Sequence, residues 1–382
     1  MKTAAAQLRN HWTESWPLIF CFLCLISFPV FFDIYRMVAF KTSPRDDYAP
    51  FLLFLLNHGG RWPGSPFGYR VLSVAPAIPL FWLLPLYKFS LLKGVDLTYL
   101  RATQALAALS FLATAGAATF AFKMVRTRLG RGFGEAWLAA LFTIVLANFD
   151  GIEGVDPVGV LCVYALLFWL EQPRYFCPLF CLTPLINEKV IFVFIFLMAG
   201  RLVCVNGFYR SHRLQIAAVA GGFLLFVLMI KIVLLPGNEG QLELGRRLPL
   251  LIHGTADSIS SLKGLVRNVA PALIMTLPCA LIALRKQAGN GLLTAGDLAV
   301  PLGMILTGLT LTESSQLQVG RIASYAMPFA VMALVTLIAD LDGRPQRTLV
   351  VHTQPAALES GRGLASRTGY AEIRSTHTQA RH

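Results

Sequence analysis

The chain has 382 residues, of which 55% are hydrophobic and 14% are charged, and its net charge at pH 7 is +13. A mean hydropathy of +0.61 excludes an ordinary water-soluble domain and indicates an all-α polytopic membrane protein. Basic loops on one membrane face account for the positive charge, and no basic-aromatic module occurs, so we expect no nucleic-acid partner.

Apolar runs recur along the chain and are the candidates for membrane crossings. They cover residues 17–38, 71–92, 98–122, 135–149, 157–170, 175–187, 190–204, 214–236, 265–284, 295–312 and 322–340. The first run follows Lys2 and Arg9 and lacks a small-residue cleavage site. This pattern favours an uncleaved signal anchor over a signal peptide.

Basic residues between the runs assign the membrane sides, because cytoplasmic loops are enriched in Lys and Arg. Basic clusters occur at residues 123–131, 201–213 and 285–286 and in the tail from residue 344. If every run crossed from a cytoplasmic N-terminus, all of these clusters would lie outside. We therefore interpret residues 71–92, which contain three prolines, as a re-entrant or juxtamembrane segment that does not cross.

The run 175–200 contains three polar residues, Asn187–Lys189, near its centre. One helix through this region would bury two charges at mid-bilayer, whereas a short hairpin places them at the outer surface and the following arginines inside. We therefore expect about ten crossings with both termini cytoplasmic. The transmembrane domain then covers residues 1–340, and residues 341–382 form a polar tail whose composition predicts disorder.

Acidic and basic side chains collect in the segments that this topology places outside. These segments are residues 41–97, 150–156, 187–189, 237–263 and 313–321. Isolated loop charges are usually solvated, so a single charge carries little information. The adjacent carboxylates at the end of the first helix and the lysine of the hairpin are stronger candidates for function. The candidate site residues are Asp46, Asp47, Tyr48, Arg70, Asp156, Glu188, Lys189 and Arg321.

The order of these features resembles the GT-C superfamily of integral-membrane glycosyltransferases, in particular the aminoarabinose transferases and protein O-mannosyltransferases. The similarity covers about residues 15–205. It runs from a first helix through an acidic pair, a proline-rich juxtamembrane stretch, "LRATQALAALSF", a basic inner turn, an outer Asp-Pro and the hairpin "LINEKVIFVF". The pattern departs from the family in its Asp-Asp-Tyr, where the family usually has Asp-Glu with a more distant tyrosine.

The resemblance implies a GT-C-like fold in a bacterial inner membrane. It also implies transfer of a sugar from a polyprenyl-phosphate-linked donor to a glycan, lipid or protein acceptor at the outer face, with membrane lipids as further partners. In such a reaction a base removes the proton from the acceptor hydroxyl. Asp47 or Asp46 is the expected base, and Asp156 is expected to assist it or to position the acceptor.

The departing lipid phosphate needs cations to stabilise its growing negative charge. Arg70, Lys189 and Arg321 are the expected phosphate clamp, because arginine offers two parallel donors and lysine a point charge. Tyr48 and Glu188 are the further residues expected to bind substrate. The chemistry requires no cofactor, although the acidic pair could hold a divalent cation.

Other membrane functions fit parts of the same pattern. A transporter or flippase would place ionisable residues or broken helices at the bilayer midplane and usually repeats one half of its sequence. The charges here cluster at one surface, and the sequence shows no repeat. A polysaccharide polymerase or a membrane acyltransferase would share the apolar groove and the charged outer loops, although no histidine lies within an apolar run as an acyltransferase would favour. The sequence is also compatible with a structural membrane subunit.

Overall fold

The computed structural model describes residues 15–40, 48–60, 70–84, 96–149, 156–234, 260–285, 293–310 and 319–341. The chain divides into two units, Met1–Arg347 and Thr348–His382, and every described residue belongs to the first. All regular elements in the described ranges are helical, which confirms the all-α prediction for them. The predicted disordered tail lies outside the described residues.

The first half of the chain contains nine described helices. They are α1 (Trp16–Phe40), α2 (Tyr48–Leu55), α3 (Val71–Val74), α4 (Ala77–Leu83), α5 (Leu97–Thr127), α6 (Phe133–Phe149), α7 (Asp156–Phe168), α8 (Pro173–Cys181) and α9 (Thr183–Ile186). Prolines at the first or second position open α7, α8 and α9, where the missing N–H has no helical partner to lose.

The second half continues with seven more described helices. They are α10 (Glu188–Cys204), α11 (Phe208–Leu234), α12 (Leu262–Gly264), α13 (Ala270–Leu284), α14 (Ala299–Thr310), α15 (Val319–Ala323) and α16 (Met327–Leu341). A π-helical turn, Leu265–Val269, joins α12 to α13. Turns of 3₁₀ helix, Ala295–Leu298 and Ser324–Ala326, precede α14 and α16.

Three described helices are long and apolar enough to cross a membrane. They are Leu97–Thr127, Phe208–Leu228 and the continuous helical stretch Val319–Leu341. Six further apolar helical stretches have 10–17 residues, whereas a crossing usually needs about 20. They include Trp16–Phe28 of α1 and Val71–Leu83, which spans α3 and α4. The described helices therefore suit a membrane protein by length and composition, and the total of about ten crossings stays a prediction.

The described part of the proline-rich segment 71–92 forms the two short helices α3 and α4. Ala75 and Pro76 form a turn between them. The 13 residues of Val71–Leu83 rise about 20 Å, which is less than the roughly 30 Å of a hydrocarbon core. Residues 85–92 lie outside the described ranges, so the re-entrant path of the whole segment stays a prediction.

Helix α5 forms the centre of the packed core. It contacts α1, α6 and α7, and near its start it contacts α2 and α4. Alanines such as Ala105, Ala115 and Ala118 are fully buried along it. Small side chains allow helix backbones to approach closely. The van der Waals packing that results is one of the main attractions between helices in a lipid solvent. The alanine-rich sequence of α5 therefore explains its central place.

A buried ion pair fixes the end of α10 that lies farthest from Glu188. Arg201 Nε donates to Asp297 Oδ1 at 2.7 Å, and Arg201 Nη2 donates to Asp297 Oδ2 at 3.1 Å. A Cβ atom added to the adjacent Gly200 would lie 2.0 Å from the carbonyl oxygen of Gly296. The glycines thus let two backbones touch, and the ion pair sets the register between α10 and the turn before α14.

We expect Asp297→Leu to lower the free energy of unfolding by about 3–5 kcal/mol, because Arg201 would lose its buried carboxylate. The thermal unfolding midpoint of the purified chain in detergent measures this loss. The double variant R201M/D297L should recover much of it, since neither charge is then left buried alone. A single variant as stable as the original chain would contradict this account of the pair.

Candidate functional site

A fully buried carboxylate, that of Asp156, lies at the centre of a polar cluster where helices end. Its Oδ1 atom accepts hydrogen bonds from Tyr325 Oη at 2.9 Å, Lys189 Nζ at 3.2 Å and Asn187 Nδ2 at 3.3 Å. Its Oδ2 atom pairs with the Nε atom of Arg321. Both oxygens of Asp156 are therefore occupied by donors from α10, α15 and the turn before α16.

A second ion pair adjoins the first. Arg70, which is 3% exposed, donates from Nε to Glu188 Oε2 at 2.9 Å and from Nη2 to Glu188 Oε1. Its Nη1 atom donates to Tyr48 Oη at 2.9 Å. A guanidinium that grips both carboxylate oxygens is a strong and directional contact. This pair ties the start of α3 and the start of α2 to the start of α10.

We call these eight side chains the Asp156 cluster. They are Tyr48, Arg70, Asp156, Asn187, Glu188, Lys189, Arg321 and Tyr325.

Local helix chemistry explains why the charges of α10 lie in the cluster. Asn187 is the N-cap of this helix, and its Oδ1 atom accepts from the backbone N–H of Lys189 at 3.1 Å. Glu188 is the first residue of α10, as Asp156 is the first residue of α7. Carboxylates are favoured at these positions, because the N-terminus of a helix carries a partial positive charge.

The ionisable side chains of the cluster carry an excess of positive charge. Arg70, Lys189 and Arg321 are cations, whereas Asp156 and Glu188 are the carboxylates among the described residues of the cluster. The N-terminal ends of α7, of α10 and of the helical stretch that begins at α15 meet at the same place, and helix N-termini favour anions. The cluster therefore brings three cations and three helix N-termini to one place.

Tyr325 is buried between α7 and α10. Its hydroxyl donates to Asp156 and accepts from Asn187 Nδ2 at 2.7 Å, and Lys189 Nζ lies 5.1 Å from the centre of its ring. A Cβ atom added to Gly159 would lie 2.7 Å from the Tyr325 hydroxyl. The ring therefore takes its place only because residue 159 has no side chain.

The structure brings six of the eight predicted site residues into this one cluster. They are Tyr48, Arg70, Asp156, Glu188, Lys189 and Arg321. The other two, Asp46 and Asp47, precede Tyr48 in the chain and lie outside the described residues.

The hairpin residues are buried within the protein. Asn187, Glu188 and Lys189 are 1%, 7% and 7% exposed, because Arg70 and Asp156 provide charged partners inside the protein. Arg321, which pairs with the same buried Asp156, has a side chain that is 18% exposed. The predicted place of these residues at the outer side of the membrane stays a prediction.

Two members of the cluster, Asn187 and Tyr325, are absent from the predicted set. Asn187 carries a sequence signal, since an asparagine before "EKVIFVF" matches an N-cap. Tyr325 follows Arg321 by four residues in "RIASYAMPF", so the two share one face of a helix. Inside an apolar helix, however, a tyrosine can also serve only to pack against its neighbours. The sequence does not distinguish that role from a hydrogen bond in a polar cluster.

No group of three or more His, Cys, Asp or Glu side chains that could hold a metal ion occurs in the ranges that the structure describes. The acidic pair predicted to be able to hold a divalent cation, Asp46 and Asp47, lies outside those ranges. The divalent-cation hypothesis therefore stays a prediction.

Comparison with known proteins found no matching family model, no matching curated protein and no matching solved structure. The GT-C resemblance therefore stays a prediction made from the order of features in the sequence.

We expect Gly159→Ala to lower the free energy of unfolding by about 1–3 kcal/mol, because the new methyl group must displace the Tyr325 hydroxyl. Gly221→Ala in α11 is the matched control. A Cβ atom there meets nothing within 4 Å, so the better helix propensity of alanine should leave stability equal or higher. Thermal unfolding in detergent measures both variants. Equal midpoints for the two would contradict the tight contact.

Proposed function

We propose that the chain is a GT-C-type integral-membrane glycosyltransferase that uses a polyprenyl-phosphate-linked sugar as donor. The observation that carries this proposal is the meeting of three cations and three helix N-termini in the Asp156 cluster, where Lys189 and Arg321 contact Asp156 and Arg70 contacts the adjacent Glu188. Such a centre favours the phosphate of a lipid carrier, because the apolar helices beside it can accommodate the polyprenyl chain.

The absence of a repeated half in the sequence supports transfer over transport, because transporters are usually built from two repeats. Asp156 and Glu188 are the first residues of their helices, and Arg321 is the third residue of the stretch Val319–Leu341. Helix starts of this kind favour anionic groups such as the phosphate of a lipid carrier.

Arg321 is proposed as the first cation that an incoming phosphate meets. Its side chain is 18% exposed, compared with 9% for Lys189 and 3% for Arg70. Asp156 then acts through Lys189 and Arg321, since both its oxygens are already occupied. Its proposed role is to hold the two cations in place and not to touch the acceptor itself.

Asp47 or Asp46 is proposed as the base. The two carboxylates directly precede Tyr48, whose hydroxyl is bonded to Arg70. The base removes the proton from the acceptor hydroxyl while that oxygen attacks the anomeric carbon. The bond between the anomeric carbon and the lipid phosphate oxygen breaks, and the electron pair leaves with the phosphate. The cations stabilise the charge that this step creates.

The topology belongs to the same proposal. It comprises about ten crossings, cytoplasmic termini and a site at the outer face of a bacterial inner membrane. The acceptor is a glycan, a lipid or a protein. A flippase or a polysaccharide polymerase that acts on lipid-linked glycans is the alternative function.

Replacing the proposed base tests the chemistry directly. We expect Asp47→Asn or Asp46→Asn to lower the transfer rate by about 100-fold or more, because a neutral amide does not accept the proton. The assay is sugar transfer from the lipid-linked donor pool in membranes that contain the full chain. Asp96→Asn is the control, since that carboxylate accepts from the backbone N–H of Thr98 as the N-cap of α5. Full activity in both test variants would exclude these residues from the reaction.

Carrier binding tests the phosphate centre independently of turnover. We expect the purified chain to retain polyprenyl phosphate, and Arg321→Gln to reduce that retention by about tenfold through the loss of a charged hydrogen bond. Native mass spectrometry of the detergent-solubilised chain measures retained lipid. Arg128→Gln is the control, because Arg128 already pairs with Glu171 at 2.5 Å. Equal retention by the two variants would contradict the clamp.

A further inference from the structure

One arginine lies near each end of α5, and each lies over aromatic rings. Arg101 Cζ is 5.2 Å from the ring centre of Phe81, and Arg128 Cζ is 6.0 Å from that of Phe168. Arg128 also forms an ion pair with Glu171 at 2.5 Å. Among the described residues, no carboxylate forms an ion pair with Arg101. Arg128 therefore has a carboxylate partner in the described part of the chain, and Arg101 has none there.

The protein satisfies the Arg101 guanidinium only in part. Its Nη2 atom donates to the carbonyl oxygen of Trp82 at 3.4 Å, and its Nε atom is buried without a hydrogen-bond acceptor in the described part of the chain. The ring of Trp82 lies 6.0 Å from Cζ. Aromatic faces attract a cation but do not neutralise its charge. An external anion would complete this site.

The surroundings of Arg101 are those of a membrane interface. Trp82, Leu83 and Leu97 are 56%, 77% and 49% exposed, and they lie in or beside the two helices that meet at Arg101. Exposed tryptophan beside exposed leucine is typical of the level of the lipid headgroups. At that level of a membrane, the phosphates of lipid headgroups are the abundant anions.

His58 lies on the same aromatic pair. Asn57 and Gly59 have φ angles of +59° and +75°, and this left-handed turn after α2 brings the exposed His58 ring to 5.9 Å from Phe81 and 5.8 Å from Trp82. An imidazole N–H is a hydrogen-bond donor at any protonation state. The surface thus combines a fixed cation, an aromatic face and a second donor.

We propose that Arg101, Trp82 and His58 form a binding site for the headgroup of an anionic phospholipid, separate from the Asp156 cluster. The phosphate oxygens accept from the Arg101 guanidinium and from His58, while Trp82 packs against the glycerol and the upper acyl chain. The site anchors α4 and the start of α5 to the membrane surface. It does not depend on the function proposed above.

The test uses the purified full chain in detergent, titrated with phosphatidylglycerol and read by native mass spectrometry. We expect Arg101→Gln to weaken phosphatidylglycerol binding about fivefold and Arg101→Lys to weaken it less, because lysine keeps the charge but loses the fork of donors. Arg128→Gln, at the other end of α5, should bind as the original chain does. Phosphatidylcholine, whose net charge is zero, should bind more weakly than phosphatidylglycerol.

Three outcomes would overturn the site. The first is phosphatidylglycerol binding by Arg101→Gln within twofold of the original chain. The second is competition by inorganic phosphate that removes the lipid from Arg101, which would show a site for the free anion. The third is loss of polyprenyl phosphate instead of phosphatidylglycerol in Arg101→Gln, which would assign Arg101 to the carrier. Arg321→Gln should leave phosphatidylglycerol binding unchanged, so the two proposals can fail separately.

Discussion

The contact of the Asp156 carboxylate with Lys189 and Arg321 is the interaction on which this end of the molecule depends. Each charge would lose several kcal/mol of hydration if it were buried alone. The three are buried together, so each offsets part of the cost of the others. Because they come from three different helices, this compensation also fixes how α7, α10 and α15 meet.

Helix α10 is held by charged contacts at both of its ends. Glu188 and Lys189 bind Arg70 and Asp156 at one end, and Arg201 binds Asp297 at the other. Lipid tails are as apolar as leucine, so hydrophobic side chains do little to set helix register inside a membrane. Ion pairs and close glycine or alanine contacts supply that register instead. The apolar faces between these contacts bury surface area but do not fix the position of one helix along another.

Both proposals start from a comparison of cations with their carboxylate partners. In the Asp156 cluster, three cations and two carboxylates lie among the described residues, and Arg321 has the most exposed side chain of the three cations. Near the start of α5, Arg101 has aromatic rings and a carbonyl oxygen but no carboxylate partner in the described ranges. Both places lie at helix ends. The first is proposed to hold the reacting carrier, and the second to hold a structural lipid.

The sequence alone determined the membrane class, the helical fold and most of the charged residues of the cluster. These follow from hydropathy, from charge between apolar runs and from helix-start signals, all of which act within a few residues. Only the tertiary structure decided the partners: Arg70 binds Glu188 across 118 residues, and Asp156 binds Arg321 across 165. It also showed that the hairpin charges are buried within the protein, and it added Tyr325. Such pairings depend on how helices distant in the sequence pack together, and no local sequence pattern predicts that packing.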